Sequence, residues 1–425
     1  MIIFASIWKR IKKNPLSKLG PGLITGVADD DPSGIVTYSQ AGAQFGLNML
    51  WTMPLTYPLM AAVQLMCALI GRVTGRGLAA NIKSNFPPYV LLSVVVLLFS
   101  ANTLNIAADL SAMGEVAELV SGVDRHVMTA GFVFLSLGLQ IFIPYHRYVF
   151  FLKWLTLSLL AYAAVLFTIH VPWGEVGLRT FIPQLTLNAD TASVIVAIFG
   201  TTISPYLFFW QASEEVEDMD STQSLALTRG TKTLAKEEIS RIHWDTWSGM
   251  FYSNLAAYFI ILAAGVTLFV AGVTNITTAA EAALALKPLA GNFAYLLFSI
   301  GILGVGLIGV PVLAGSSAYA ISETMGWKWG LEKLPQSAIG FYGVIAAGVL
   351  PALFMQYSPI SPMRALFWSA VINGVVAIPM IAIIIILASK KKLMGDYVAS
   401  KTILFLGGVA VIVMGLASVW MFISD

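Results

Sequence analysis

Three consecutive carboxylates, Asp29, Asp30 and Asp31, stand inside an otherwise apolar, membrane-length stretch from about residue 22 to residue 45. A charged side chain near the centre of a bilayer costs at least about 2.5–3.5 kcal/mol. Three in a row are tolerable only where they face water, a cation or protein. Pro32 follows directly and has no backbone N–H, and Ser33-Gly34 favours a turn, so the helix is predicted to break here. Inside a membrane such a break survives only where it lines a cavity or is buried in protein. It frees backbone carbonyls beside the carboxylates, and that combination suggests a cation site. Asp31 is the expected electrostatic anchor, supported by Asp30 or Asp29. Adjacent helical residues point about 100° apart, so the three need not share one pocket. The plainer alternative is that Asp31 caps the second half-helix, since Asp followed by Pro makes a good N-cap and first-turn pair.

A second interruption is predicted at Gly200-Thr201-Thr202-Ile203-Ser204-Pro205. Beyond it come Gln211, Glu214, Glu215 and Glu217. They read either as an acidic vestibule that draws cations or, more plainly, as a solvated helix end. Asn373 sits mid-segment near the end of the chain, placed to touch a metal or its water, or to bond a neighbouring helix. His126, His146, His170 and His243 all fall at segment ends without metal-ligand spacing and are assigned no chemistry. The single Cys67 excludes an internal disulfide framework and a Cys-rich zinc site. The run GILGVGLIG (301–309) reads as a close-packing helix surface, not a phosphate loop.

The elements that must position these residues are membrane helices. The chain is 58% hydrophobic and 11% charged, against about 25% charged in a soluble protein. Eleven spans are expected, at about 20–45, 48–71, 88–114, 126–145, 148–170, 190–217, 246–271, 291–322, 336–356, 362–388 and 400–423. The first and sixth are broken, and the third and eighth are long enough to project from the hydrocarbon. The longest polar stretch, 218–245, is expected to be a loop whose TLAKEEISRIH portion forms a short surface helix. AAEAALAL (279–286) reads as a short amphipathic helix. With the N-terminus in the cytoplasm, 20 of the 24 Lys and Arg residues fall on the inside. That bias supports eleven spans with the C-terminus outside. The basic N-terminus (Lys9, Arg10, Lys12, Lys13, Lys18) precedes a segment too long for a cleaved signal and is expected to be retained. A multi-pass protein of the cell (inner) membrane follows, with the lipid bilayer as partner and no nucleic-acid partner.

Five spans separate the two breaks, so the second half starts with opposite topology. Interrupted helices at equivalent places in two five-span halves mark the inverted-repeat secondary transporters. The repeats are expected at about 20–170 and 190–388, with an extra helix at about 400–423, all in one transmembrane domain. Two ordinary proline kinks are the plainer reading, but they leave the acidic triplet unexplained.

At these breaks the chain resembles the NRAMP family of divalent-metal transporters. GPGLITGVADDDPSGIVTYSQAGAQFGLNMLW is similar to that family's first helix, which carries DPGN followed by QAGAQ and a closing Leu-Trp. The resemblance extends more weakly over the whole chain. It implies an all-α polytopic membrane protein with the leucine-transporter fold, a 5+5 inverted repeat with broken helices one and six plus an eleventh helix. It implies metal ligation by Asp31 and by the backbone carbonyls of Ala28 and Thr201. This sequence departs from the family pattern at several places. Gly34 stands where the family has Asn, Ser204 where it has Met, and Tyr206 where it has His. Asp109 matches an acid of the proton path, while Asn102 and Ala112 stand where flanking acids are expected. The ninth span has no Arg or Lys, although the family places arginines there. This set resembles the prokaryotic NRAMP-related magnesium transporters.

A Met thioether favours soft metals, whereas Ser204 offers a hard oxygen. Gly34 removes a side chain and is expected to widen the site. Mg²⁺ usually keeps several waters and is held by one or two carboxylates, so a roomy all-oxygen pocket suits it. Mn²⁺ is expected to compete and Cd²⁺ to lose its advantage. Tyrosine titrates near pH 10 and histidine near about 6.5, so Tyr206 cannot replace a titrating His. Little remains for a proton relay, apart from Asp109, which also reads as a hydrogen-bonded structural acid. Uptake driven by gradient and potential is expected; a divalent ion gains about 4.6 kcal/mol per 100 mV on entering a negative interior. The metal is then cargo, no cofactor or catalysis is expected, and a monomer suffices. The alternatives are a proton-coupled Mn²⁺/Fe²⁺ importer, a sodium-coupled amino-acid transporter of the same fold, and an intramembrane aspartyl hydrolase. The last lacks a second acid on the sixth span to face Asp31.

Overall fold

The computed structural model describes residues 21–143, 159–184, 186, 188–222, 232–331 and 333–424. The basic N-terminal tail, the start of the fifth span, Arg147, Lys153, Arg229 and His146 lie outside the described residues. Among the described residues there are helices and no strands.

The first span falls into α1 (Pro21–Asp29) and α2 (Pro32–Phe45). The break is chemically determined. Asp31 takes the extended backbone of an N-cap (φ −69°, ψ 172°), its carboxylate accepts the Gly34 N–H, and Pro32 opens the new helix. Gly46 ends α2 at φ +59°, a left-handed conformation suited to glycine. There follow α3 (Thr52–Thr74), α4 (Leu78–Asn85), α5 (Pro88–Ser121), α6 (Arg125–Phe142), α7 (Leu160–Val165) and α8 (Trp173–Phe181). The sixth span falls into α9 (Ala189–Thr202) and α10 (Pro205–Thr222). Then come α11 (Lys232–Ala264), the short α12 (Ala279–Ala283), α13 (Ala294–Met325), α14 (Ile339–Val349), α15 (Pro362–Ser389) and α16 (Lys401–Ser424).

Eight helical segments among the described residues are long and apolar enough to cross a membrane, and Ile339–Met355 is a shorter apolar one. With the two-part first span these occupy ten of the eleven expected places, and the described part of the eleventh, the fifth span, holds α7. The 34 residues of α5 reach about 51 Å, so it does outrun a hydrocarbon core.

Two boundaries differ from expectation. The polar segment 232–245 is no loop with a separate surface helix; it forms the opening turns of α11, whose 33 residues run unbroken into the apolar span. Its charges are compatible with helix because they are paired with neighbouring helices, as described below. The ninth span is interrupted: α14 stops at Val349 and a four-residue helix, Ala352–Met355, follows. Pro351, at the junction, supplies no N–H to continue the ladder.

The broken first span packs along α11 with both its halves. Gly26 makes this contact close, because a Cβ there would run into the backbone of Gly249. α9 packs on α15, and α5 packs on both α13 and α15. The two breaks therefore lie inside the bundle, away from lipid.

Candidate functional site

Among the terminal carbonyls at each break, proline itself deprives one of its helical donor. In an unbroken helix the N–H of residue i bonds the carbonyl of residue i−4. Pro32 cannot serve Ala28, and Pro205 cannot serve Thr201. Both carbonyls are buried, so each must find another partner. In both cases the partner is a hydroxyl from the sixth span. The Tyr206 hydroxyl donates to the Ala28 carbonyl at 3.2 Å. The Ser204 hydroxyl lies 2.8 Å from the Thr201 carbonyl and 2.7 Å from that of Gly200. The two expected carbonyl ligands are thus the two that proline chemistry singles out.

Asp31 is buried and fully engaged. Its Oδ1 accepts from Gly34 N at 2.8 Å and from the Ser33 hydroxyl at 2.7 Å. Its Oδ2 accepts from Asn105 Nδ2 at 2.9 Å and from the Tyr206 hydroxyl at 3.3 Å. The capping alternative therefore holds for Oδ1, while Oδ2 faces Tyr206 and α5. Among the described residues no Lys, Arg or His pairs with Asp29, Asp30 or Asp31. Asn105 is held in turn by the Ser369 hydroxyl of α15, 2.5 Å from its Oδ1. The sequence reading missed Asn105. Its signal was available, since Asn102, Asn105 and Asp109 recur at three and four residues and share one face of α5.

The acidic triplet does not converge. Asp29 Oδ2 and Asp30 Oδ1 both meet the hydroxyl of Ser253 on α11, at 2.5 and 3.1 Å. Asp29 Oδ1 and Asp30 Oδ2 are buried without a hydrogen-bond partner. Asp30 is thus placed with Asp29 against α11, on partners different from those of Asp31. Among the described residues no three His, Cys, Asp or Glu side chains form a metal-binding group. Gly34 does not widen the site as expected. A Cβ there would stand 3.2 Å from Thr201 Oγ1 and 3.5 Å from the Asp29 carbonyl oxygen, so the Thr201 side chain occupies that space. The Thr201 hydroxyl is itself buried and unbonded. The glycine run on α13 closes the other flank: a Cβ at Gly309 would lie 3.0 Å from Asp31 Cβ.

The remaining candidates divide. Asp109 is buried beside Asp31 and against the backbone of Ser33, yet neither carboxylate oxygen has a partner in hydrogen-bond geometry. Asn102 staples α5 to α13, its Nδ2 lying 2.8–3.0 Å from the Leu313 carbonyl and the Ser316 and Ser317 hydroxyls. Asn373 is buried with both amide atoms unbonded, so the helix–helix hydrogen bond is not made. Its neighbour Gly374 packs against Gly200 at the sixth-span break.

The acids beyond that break are engaged with neighbouring helices, so they do not form a freely solvated helix end. Glu215 is 0% exposed and pairs with Arg241 at 2.9 Å. Gln211 accepts from the Thr25 hydroxyl at 2.6 Å and joins α10 to α1. Glu217 accepts from the Tyr319 hydroxyl at 2.8 Å and from Leu331 N at 2.9 Å, and Glu214 lies 3.4 Å from the same Tyr319 hydroxyl. Arg72 of α3 bonds Asp218 at 3.1 Å and Glu238 at 2.8 Å. Arg241 also reaches Glu238, at 3.1 Å, and Asp245 accepts from Gly22 N at 2.7 Å. One ion-paired network therefore ties α1, α3, α10 and the opening turns of α11 together.

Residues 22–424 match the family described as natural resistance-associated macrophage protein-like. The chain belongs to this family. As an NRAMP-family chain with these apolar helices, it is a multi-pass membrane protein. Its fold is similar to that of an Eremococcus coleocola manganese transporter, crystallised with an aromatic bis-isothiourea substituted compound. The identity is 16%, with 97% of this chain and 86% of that one covered and a TM-score of 0.73. MhsT in complex with L-phenylalanine matches at 11% identity over 93% of this chain and 98% of that one, with a TM-score of 0.60. Mhp1, a nucleobase-cation-symport-1 family transporter in a closed conformation with bromovinylhydantoin bound, matches at 13% over 95% and 92%, with a TM-score of 0.58. At such identities the likeness concerns the fold, which is the leucine-transporter fold with broken first and sixth helices. In this NRAMP-family chain Ala28, Asp31, Gly34, Thr201, Ser204 and Tyr206 are all buried, so the junction of the breaks is closed to solvent.

Proposed function

We propose that the protein moves divalent metal cations across the membrane, with Asp31 and the carbonyls of Ala28 and Thr201 as ligands at the junction of the two breaks. The observation that carries this reading is the pair of carbonyls orphaned by Pro32 and Pro205, one of them linked to Asp31 through a single hydroxyl. Family membership supports it, and so does the manganese transporter of similar fold. Ser204 and Thr201 add hydroxyls in place of sulfur. Every candidate ligand atom is thus oxygen, which suits Mg²⁺ and Mn²⁺ above soft Cd²⁺. This reading places the chain with the NRAMP-related magnesium transporters.

Weak proton coupling is part of the proposal. Tyr206 replaces a titrating histidine, and Asn102 is bound up in a helix staple rather than lining a relay. The metal is cargo, the transporter works as a monomer in the bilayer, and the distribution of Lys and Arg supports a cytoplasmic N-terminus. Sodium-coupled amino-acid transport is the less favoured reading, because a substrate carboxylate at this junction would meet Asp31.

Influx of Mg²⁺, Mn²⁺, Ca²⁺ and Cd²⁺ into proteoliposomes carrying a lumenal pH dye tests the reading. Mg²⁺ and Mn²⁺ entry without acidification is the expected result. Cd²⁺ preference with strong acidification would return the chain to proton-coupled import, and sodium-dependent amino-acid flux would establish the other reading.

A further inference from the structure

The Tyr206 hydroxyl holds one proton between two acceptors, the Ala28 carbonyl at 3.2 Å and Asp31 Oδ2 at 3.3 Å. O–H···O bonds prefer about 2.7–2.8 Å, so this forked arrangement is long on both arms. Both acceptors are oxygens that the proposed function gives to the metal. Both are buried, so each needs a donor or a cation beside it. Asp31 Oδ2 has a second one in Asn105, whereas the Ala28 carbonyl is the acceptor that Pro32 leaves without its helical N–H. Tyr206 directly follows Pro205, so the residue that breaks the sixth span also fixes where this phenol begins.

We propose that Tyr206 is a placeholder for the cation. Its hydroxyl occupies the position between the Ala28 carbonyl and Asp31 when the site is empty, and an arriving divalent cation displaces it. The inference rests on the transport reading and concerns the strength with which the site takes its cargo. A charge-neutral donor keeps the two oxygens satisfied and the junction shut. A divalent cation satisfies them better, and the phenol then turns its proton away. The competition weakens metal binding, which helps release on the far side. The hydroxyl is therefore a positioning group that sets affinity.

The test is Tyr206→Phe in the full chain, reconstituted in proteoliposomes, with Mn²⁺ and Mg²⁺ influx measured over a range of concentrations. Removing the competing hydrogen bonds is expected to lower the apparent KM for both ions by roughly three- to tenfold. Maximal influx should fall, because release slows. A tyrosine that merely packs would leave KM unchanged, and one that ligates the metal would raise it on removal. Either result in a monodisperse variant overturns the inference. Tyr206→Leu, which also lacks the hydroxyl, carries the same test should the phenylalanine variant be lost in detergent. Saturable influx by the unaltered protein with no fall in KM in the variants removes this inference alone. No divalent influx by the unaltered protein removes the transport reading, and the placeholder with it.

Discussion

Ser204 fills the amide gap left by Pro205 with its own hydroxyl, 2.8 Å from the Thr201 carbonyl. A methionine at this place would offer a thioether, which favours soft metals. Ser204→Met is therefore expected to raise Cd²⁺ influx relative to Mg²⁺ influx by about an order of magnitude or more, read in parallel proteoliposome assays. An unchanged ratio would show that residue 204 does not face the cargo. At this scale the sequence was partly legible. Asp31 stood out because three charges in an apolar run need a reason. Asn105 did not, because amides in membrane helices are common and only the face shared with Asn102 and Asp109 pointed to it. The Tyr206 bridge was unreadable, since it depends on how α10 faces α1. The separation of Asp30 from Asp31 depends likewise on Ser253, more than two hundred residues away.

The breaks themselves were legible as elements, because proline removes a donor wherever it sits. The start of α11 was not. Its charges looked like a loop, and the paired acids that make them tolerable lie on α10, with Arg72 on α3. The interruption of α14 before Pro351 was also missed, although the same proline rule marks it. The network around Arg241 binds α1, α3, α10 and α11 together. Arg241 is 28% exposed and its partner Glu215 is 0% exposed. Arg241→Ala leaves the buried Glu215 carboxylate without its ion-pair partner, at a cost of about 3 kcal/mol, the lower end for a broken buried pair because Arg241 is partly hydrated and Gln211 still donates to Glu215. Thermal unfolding in detergent should show a clear fall in midpoint. Adding Glu215→Gln should restore part of it, because the uncompensated charge is gone. A double variant no more stable than the single one would place the loss elsewhere.

For the whole molecule, the leucine-transporter fold was readable from two interruptions five spans apart, and the structure places both inside the bundle. The burial of their junction was not readable, because it depends on how the Tyr206 and Ser204 hydroxyls meet the carbonyls of Ala28 and Thr201. A divalent cation crossing toward a negative interior gains about 4.6 kcal/mol per 100 mV, so the membrane potential alone can drive uptake through such a junction. The account then needs one carboxylate above all others. Asp31→Asn keeps a good N-cap for α2 and nearly the same volume; it removes the charge and turns the acceptor that faces Asn105 Nδ2 into a donor. Mn²⁺ and Mg²⁺ influx into proteoliposomes bearing monodisperse Asp31→Asn protein is predicted to fall to the level of empty liposomes. Influx equal to that of the unaltered protein would contradict the account.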